Sequence, residues 1–120
     1  MTIYIVEDEV IFALSLREEL AQYGYTDTHL FTSGEKALQQ IKTLPPDLLV
    51  MDINLHGNLD GLETVQIIHK QRRVPVIFIS GYSDSTVQEK ARQFSPIKFF
   101  IKPIKVSDLH SIIQQELGSA

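Results

Sequence analysis

Four apolar residues, Leu48-Leu49-Val50-Met51, run without polar interruption into one carboxylate, Asp52. A run of this kind lacks the alternation of a half-buried strand. It fits a strand covered on both faces, as in the middle of a parallel sheet. Asp47, just after Pro45-Pro46, marks the turn into it, and Asn54, Gly57, Asn58 and Gly61 mark a loop out of it. Asp52 therefore belongs at the carboxyl end of a central strand, the edge where open α/β sheets bind ligands. Taken alone, an aspartate at that place is more often an ordinary strand-end residue. The case for chemistry depends on what ends the other strands.

The same pattern recurs along the chain. Ile3 to Val6 is apolar and ends in Glu7-Asp8-Glu9. Val10, Ile11, Leu14, Leu20 and Ala21 then recur near helical spacing, with Gly24 as a stop. Thr26 to Phe31 reads as a less apolar edge strand. Thr32-Ser33-Gly34-Glu35 has the capping-box pattern, a hydroxyl with a carboxylate three residues on, and Ala37, Leu38 and Ile41 give that helix its apolar face. Pro45-Pro46 ends it. Asp60-Gly61-Leu62-Glu63 starts a third helix, with Asp60 as N-cap and Val65, Ile67 and Ile68 turned inward. Val74 to Ile79 is the next strand, with Pro75 tolerable only near its first residue, and it ends in Ser80-Gly81. A polar helix from about Ser83 to Gln93 is expected to touch the core only shallowly. Lys98 to Ile101 is the last strand, ending in Lys102-Pro103. Val106, Leu109, Ile112, Ile113 and Leu117 mark a final amphipathic helix closed by Gly118. Five strand–helix alternations predict a doubly wound parallel sheet, with right-handed crossovers and helices on both faces.

Length and composition narrow the function. With 120 residues the expectation is one domain spanning 1–120. A formal net charge of -4 argues against a nucleic-acid-binding face, which needs clustered Lys and Arg. The absence of cysteine excludes disulfides and thiolate metal sites. No apolar run is long enough to span a bilayer, and the N-terminus lacks the basic start of a signal peptide, so a cytoplasmic protein is expected. His29, His69 and His110 are scattered without metal spacing, and His56 reads as a solvated loop histidine. Lys70-Gln71-Arg72-Arg73 reads as the solvated end of a helix.

Four predicted strands end in a charged or reactive group: Glu7-Asp8, Asp52, Ser80 and Lys102. In a parallel sheet those ends share one rim. Three carboxylates brought together repel, and a divalent cation relieves the repulsion. With oxygen ligands only, Mg²⁺ is the natural choice. Lys102 offers a point charge and Ser80 a hydroxyl donor suited to phosphoryl oxygens. Carboxylate, magnesium, lysine and hydroxyl together make a phosphoryl-transfer site in which an aspartate can be the nucleophile. Each group alone has an ordinary explanation as a helix-end or strand-end residue. All of them at successive strand ends are hard to obtain by chance.

This series resembles the receiver domains of two-component response regulators. The resemblance runs from Ile3 to about Leu117 and rests on Glu7-Asp8, Asp52, Asp60-Gly61, Ser80-Gly81 and Lys102-Pro103 in that order. It implies a flavodoxin-like sheet in the order 2-1-3-4-5. It implies that Asp52 accepts a phosphoryl group from the phosphohistidine of a histidine kinase or phosphotransfer protein. By the same resemblance, Glu7, Asp8, Asp52 and the backbone carbonyl of Asn54 hold Mg²⁺, while Ser80 and Lys102 bind the phosphoryl oxygens. The peptide before Pro103 is expected to be cis. Ser80 and Phe99 are the expected switch pair, and Asn54 and Tyr82 stand where relatives tune attack by water. The implied partner face is the fourth helix, fifth strand and fifth helix, through which a homodimer could form; the output domain is not specified. The chain departs from the family at Leu55-His56-Gly57-Asn58-Leu59, which lacks the usual proline and is one residue longer, and at Phe94-Ser95-Pro96, where a Gly-containing turn is common.

Two other classes fit the sequence less well. A small Mg²⁺-dependent phosphatase using an aspartyl phosphate often has a second aspartate two residues after the nucleophile. Asn54 holds that position here and cannot serve as acid or base. A flavin carrier of the same fold is disfavoured by Glu7-Asp8-Glu9, which would repel the flavin phosphate.

Overall fold

The apolar runs become strands lying side by side and parallel, and the amphipathic stretches between them become helices. The structure is a computed structural model and describes residues 1–81 and 85–118. In chain order the elements are β1 (Thr2–Val6), α1 (Val10–Gln22), β2 (Asp27–Phe31), α2 (Gly34–Ile41) and β3 (Leu48–Asp52). They continue with α3 (Gly61–Gln71), β4 (Val76–Ser80), α4 (Ser85–Arg92), β5 (Lys98–Ile101) and α5 (Val106–Leu117). The sheet order is β2-β1-β3-β4-β5, as expected, and every neighbouring pair is parallel.

The unbroken apolar run of β3 has a direct cause. Its residues alternate between two cores, one on each face of the sheet. Leu49 and Met51 pack with Ala37 and Ile41 of α2, Val65 and Ile68 of α3 and Ala91 of α4. Leu48 and Val50 pack with Ala13, Leu16 and Leu20 of α1 and Val106, Leu109 and Ile113 of α5. All five β3 residues are buried, and so are all five of β4. The two edge strands are only partly covered, which matches the polar content of β2 and the Lys98 start of β5.

The helix starts follow the capping signals of the sequence in one case and depart from them in another. Asp60 caps α3 through a full capping box: its side chain accepts from the Glu63 N–H at 2.8 Å, and Glu63 accepts from the Asp60 N–H at 2.9 Å. The box expected from Thr32 to Glu35 does not form. Ser33 is the N-cap of α2 and accepts from the Lys36 N–H, while the Glu35 carboxylate reaches away to accept the Leu59 N–H at 3.0 Å. The helix start therefore lies one residue later, and Glu35 ties α2 to the loop after β3. In α1 the helix forms where expected, but Val10, Ile11, Leu14 and Ala21 are exposed; its buried face is Ala13, Leu16 and Leu20. Helix α4 buries only Ala91 among its described residues, the shallow contact its polar sequence predicts. None of the described helices is long and apolar enough to cross a membrane.

Candidate functional site

At the carboxyl rim, Asp52 and Ser80 are the last residues of β3 and β4, Glu7 follows β1 directly, and Lys102 follows β5. Glu7, Asp52 and Ser80 are almost fully buried, at 1%, 2% and 0% exposure, although all three are polar. Burying polar side chains is costly unless they are paired, so their convergence needs a compensating arrangement. Lys102 supplies it. Its Nζ lies 2.7 Å from Glu7, 2.9 Å from Glu9 and 3.7 Å from Asp52, with its charge also over the Phe12 ring. The Lys102–Pro103 peptide is cis, as expected.

A tight junction fixes Asp52. The Gly61 N–H donates to the Ile53 carbonyl at 3.1 Å, so α3 begins directly beneath the end of β3. A Cβ on Gly61 would stand 2.2 Å from the Asp52 carbonyl oxygen and 2.7 Å from Ile53 Cα. Both neighbours are backbone and cannot yield. This close approach is the physical reason for a glycine after Asp60.

The pKa values of Glu7 and Asp8 are shifted in opposite directions. Oxygen atoms of Glu7, Asp8 and Asp52 lie within 4.8 Å of one another. Burial pushes the Glu7 carboxyl up to about 7, against the pull of Lys102 and the Glu9 N–H, and Asp52 nearby adds to the rise. Its Oε1 makes no aligned hydrogen bond although the Lys102 ammonium is close. Burial also tends to raise Asp8, but the backbone N–H and ring of His56 outweigh it and hold Asp8 below the usual carboxylate range. Burial works to lower Lys102, yet its bonds to Glu7 and Glu9 and the charge of Asp52 keep it well above an ordinary lysine. An all-oxygen set, partly buried and with spare acceptor capacity on Glu7, suits a hard divalent cation such as Mg²⁺.

Two further contacts close the site. The Asn54 N–H donates to Asp52 Oδ1 at 2.9 Å, and Ser80 Oγ donates to Asn54 Oδ1 at 2.8 Å. His56 is exposed as read, but it is not free of the site: its N–H and its Nδ1 meet Asp8 Oδ2 at 3.0 Å and 2.6 Å. Asp8 in turn raises the His56 pKa. An open cleft above the rim is lined by Asp8, Asp52, Asn54, His56, Lys90 and Lys102. The structure thus brings Glu7, Asp8, Asp52, Asn54, Ser80 and Lys102 together. Phe99 lies apart from the cluster, on β5 opposite Phe78, half-buried against the α2–α3–α4 core. Tyr82 lies outside the described residues. Sequence reasoning missed Glu9 and Lys90. Glu9 was visible as the third acid after β1, whereas nothing in its helix distinguished Lys90.

Such a rim, with acids at the ends of the first and third strands and a lysine after the fifth, defines a doubly wound α/β domain built around a strand-end acidic cluster. Within that class the chain belongs to the response regulator receiver domain family, whose model matches residues 3–114. Receiver domains are the signalling switches of two-component systems. The chain is 28% identical over 112 residues to the transcriptional regulatory protein PdtaR of Mycobacterium tuberculosis, covering 93% of this chain and 54% of that protein. It is 30% identical over 112 residues to the sensory transduction protein BceR of Halalkalibacterium halodurans, covering 93% and 48%. It therefore spans about half the length of these curated relatives. The crystal structure of the receiver domain of NtrX from Brucella abortus is similar with a TM-score of 0.88 at 30% identity, covering 98% of this chain and 99% of that one.

Proposed function

We propose that this domain is a phosphorylation-controlled switch in which Asp52 takes a phosphoryl group from a phosphohistidine of a histidine kinase or phosphotransfer protein. The observation that carries this reading is a buried Asp52 opening onto a cleft, 3.7 Å from Lys102 and grouped with Glu7 and Asp8. An Asp52 oxygen attacks the phosphorus as the P–N bond breaks. The bonding pair returns to the donor imidazole, which leaves neutral if its other nitrogen is protonated. Lys102 turns from its carboxylate partners toward the phosphoryl oxygens, and Ser80 donates to one of them. Glu7, Asp8, Asp52 and the backbone carbonyl of Asn54 would hold Mg²⁺, which offsets the charge gathered at the rim. The domain turns over only its own phosphoryl group.

The exposed apolar residues of α1 support a protein donor. Val10, Ile11 and Leu14 are 51%, 85% and 42% exposed, and they begin immediately after Glu9, beside the cleft. A neighbouring apolar patch of this kind favours docking of a donor helix over a small free phosphodonor. The phosphorylated domain would then signal through α4, β5 and α5, to an output domain or a second copy of itself.

Incubation with acetyl phosphate and Mg²⁺ tests the reading. Intact mass should show one added phosphoryl group on the wild type and none on Asp52→Asn. Equal labelling of the mutant, or labelling that persists in excess chelator, overturns it.

A further inference from the structure

We infer that the Asn54 side chain is a latch that holds the Ser80–Gly81 segment in its resting position and must let go before that segment can meet a phosphoryl group. The inference rests on the receiver reading of Asp52 and adds a positioning residue to it. The Asn54 Oδ1 atom accepts twice from this segment, from Ser80 Oγ at 2.8 Å and from the Gly81 N–H at 3.4 Å. A backbone N–H can only donate, so the amide atom facing Gly81 is the oxygen and not the nitrogen. Ser80 is fully buried at the end of β4, with its backbone fixed by the ladder to β5. Asn54 sits on the other side of the rim, and its own N–H is tied to Asp52 Oδ1. The side chain thus joins the turn after β3 to the turn after β4.

The competition follows from proton count. A serine hydroxyl has one proton to donate. While it goes to Asn54 it cannot go to an oxygen on Asp52. The Gly81 N–H is likewise committed. A phosphoryl group on Asp52 brings several strong acceptors to the same rim, and these must displace Asn54 from one or both donors. The latch therefore sets how far the segment rests from its phosphorylated position. Removing the acceptor shifts the population toward that position without any phosphoryl group.

Amide NMR of the full chain, free of cation and phosphodonor, tests the latch. Beryllofluoride with Mg²⁺ on the wild type first defines the shift of the Gly81 amide that accompanies an occupied Asp52. Asn54→Ala, with no mimic present, should move the Gly81 signal along that same direction. Its exchange with solvent should quicken roughly fivefold, the factor matching about 1 kcal/mol for one net hydrogen bond. Asn54→Asp keeps an acceptor oxygen at the site and should restore a signal near the wild-type position. Thermal unfolding establishes that both variants fold. A Gly81 signal in Asn54→Ala that coincides with the resting wild type overturns the latch while leaving the receiver reading in place. So does a shift of equal size in Asn54→Asp. If beryllofluoride leaves the wild-type signal unmoved, the receiver reading fails and the latch fails with it.

Discussion

The ammonium of Lys102 lies 2.7 Å from Glu7 Oε1, closer than the 3.7 Å that separates it from Asp52. The lysine is therefore held by Glu7 and by Glu9, 2.9 Å away, more than by Asp52, and burial opposes the ionisation of Glu7. The folded protein retains a proton on Glu7 up to about 7, above its ordinary 4.5. Across that window the folded state binds more protons than the unfolded chain, so stability is present at the acid end and declines as pH rises. We predict this decline in denaturant titrations run in chelator. Glu7→Gln removes the titrating group and should flatten the slope. Added Mg²⁺ favours the ionised carboxylate and should oppose the wild-type decline. A mutant with the wild-type slope would show that some other group titrates.

A second prediction concerns the β3–α3 junction. A Cβ at position 61 meets backbone atoms of Asp52 and Ile53 well inside contact distance. Gly61→Ala must push α3 away from the end of β3. The expected cost is about 1–3 kcal/mol, the usual range for overpacking. Labelling of Asp52 by acetyl phosphate should slow as well, because its backbone moves. Wild-type stability in urea would show that the junction is looser than these distances imply.

The apolar residues on α1 give a third prediction. Ile11 is 85% exposed and contributes nothing to either core. Ile11→Ser should leave unfolding within about 0.5 kcal/mol of wild type. Labelling by acetyl phosphate should be unchanged, whereas transfer from a purified phosphorylated histidine kinase should slow. A parallel loss with both donors would place the defect in the site rather than in docking.

The parallel strands and the rim were legible because both follow from residue spacing, whereas the strand order came from the resemblance to receiver domains. Each buried strand is an apolar run, and each functional group stands where such a run stops. What stayed hidden were contacts between segments distant in sequence. Glu35 looked like a helix cap because only its neighbours are visible in sequence, yet its carboxylate serves Leu59. Val10, Ile11 and Leu14 helped to signal a helix by apolar character, but burial depends on which face the sheet meets, and the sheet meets Ala13, Leu16 and Leu20. Glu9 was one acid among three until the Lys102 side chain arrived from β5. His56 is the solvated loop histidine its sequence suggests, and exposure alone does not report its bond to Asp8.

The last prediction concerns the path from the rim to β5. Phe78 pairs with Phe99, and Ser80, two residues on, pairs with Ile101. Side chains two apart on a strand share a face, so Ser80 and Phe78 lie on the same side of the sheet, toward the core beneath α4 where Phe99 is half-buried. A Ser80 side chain drawn toward a phosphoryl group leaves room on that side, and Phe99 can enter it. The Phe99 ring has no hydroxyl to leave unpaired, so deeper burial carries no polar penalty. The inward state can be populated before phosphorylation and enriched by it. We predict that beryllofluoride on Asp52 increases inward Phe99, and that Ser80→Ala still binds the mimic but shows a weaker ring response. NMR signals of the Phe99 ring in the two proteins decide the matter. Identical responses to the mimic would remove Ser80 from the path.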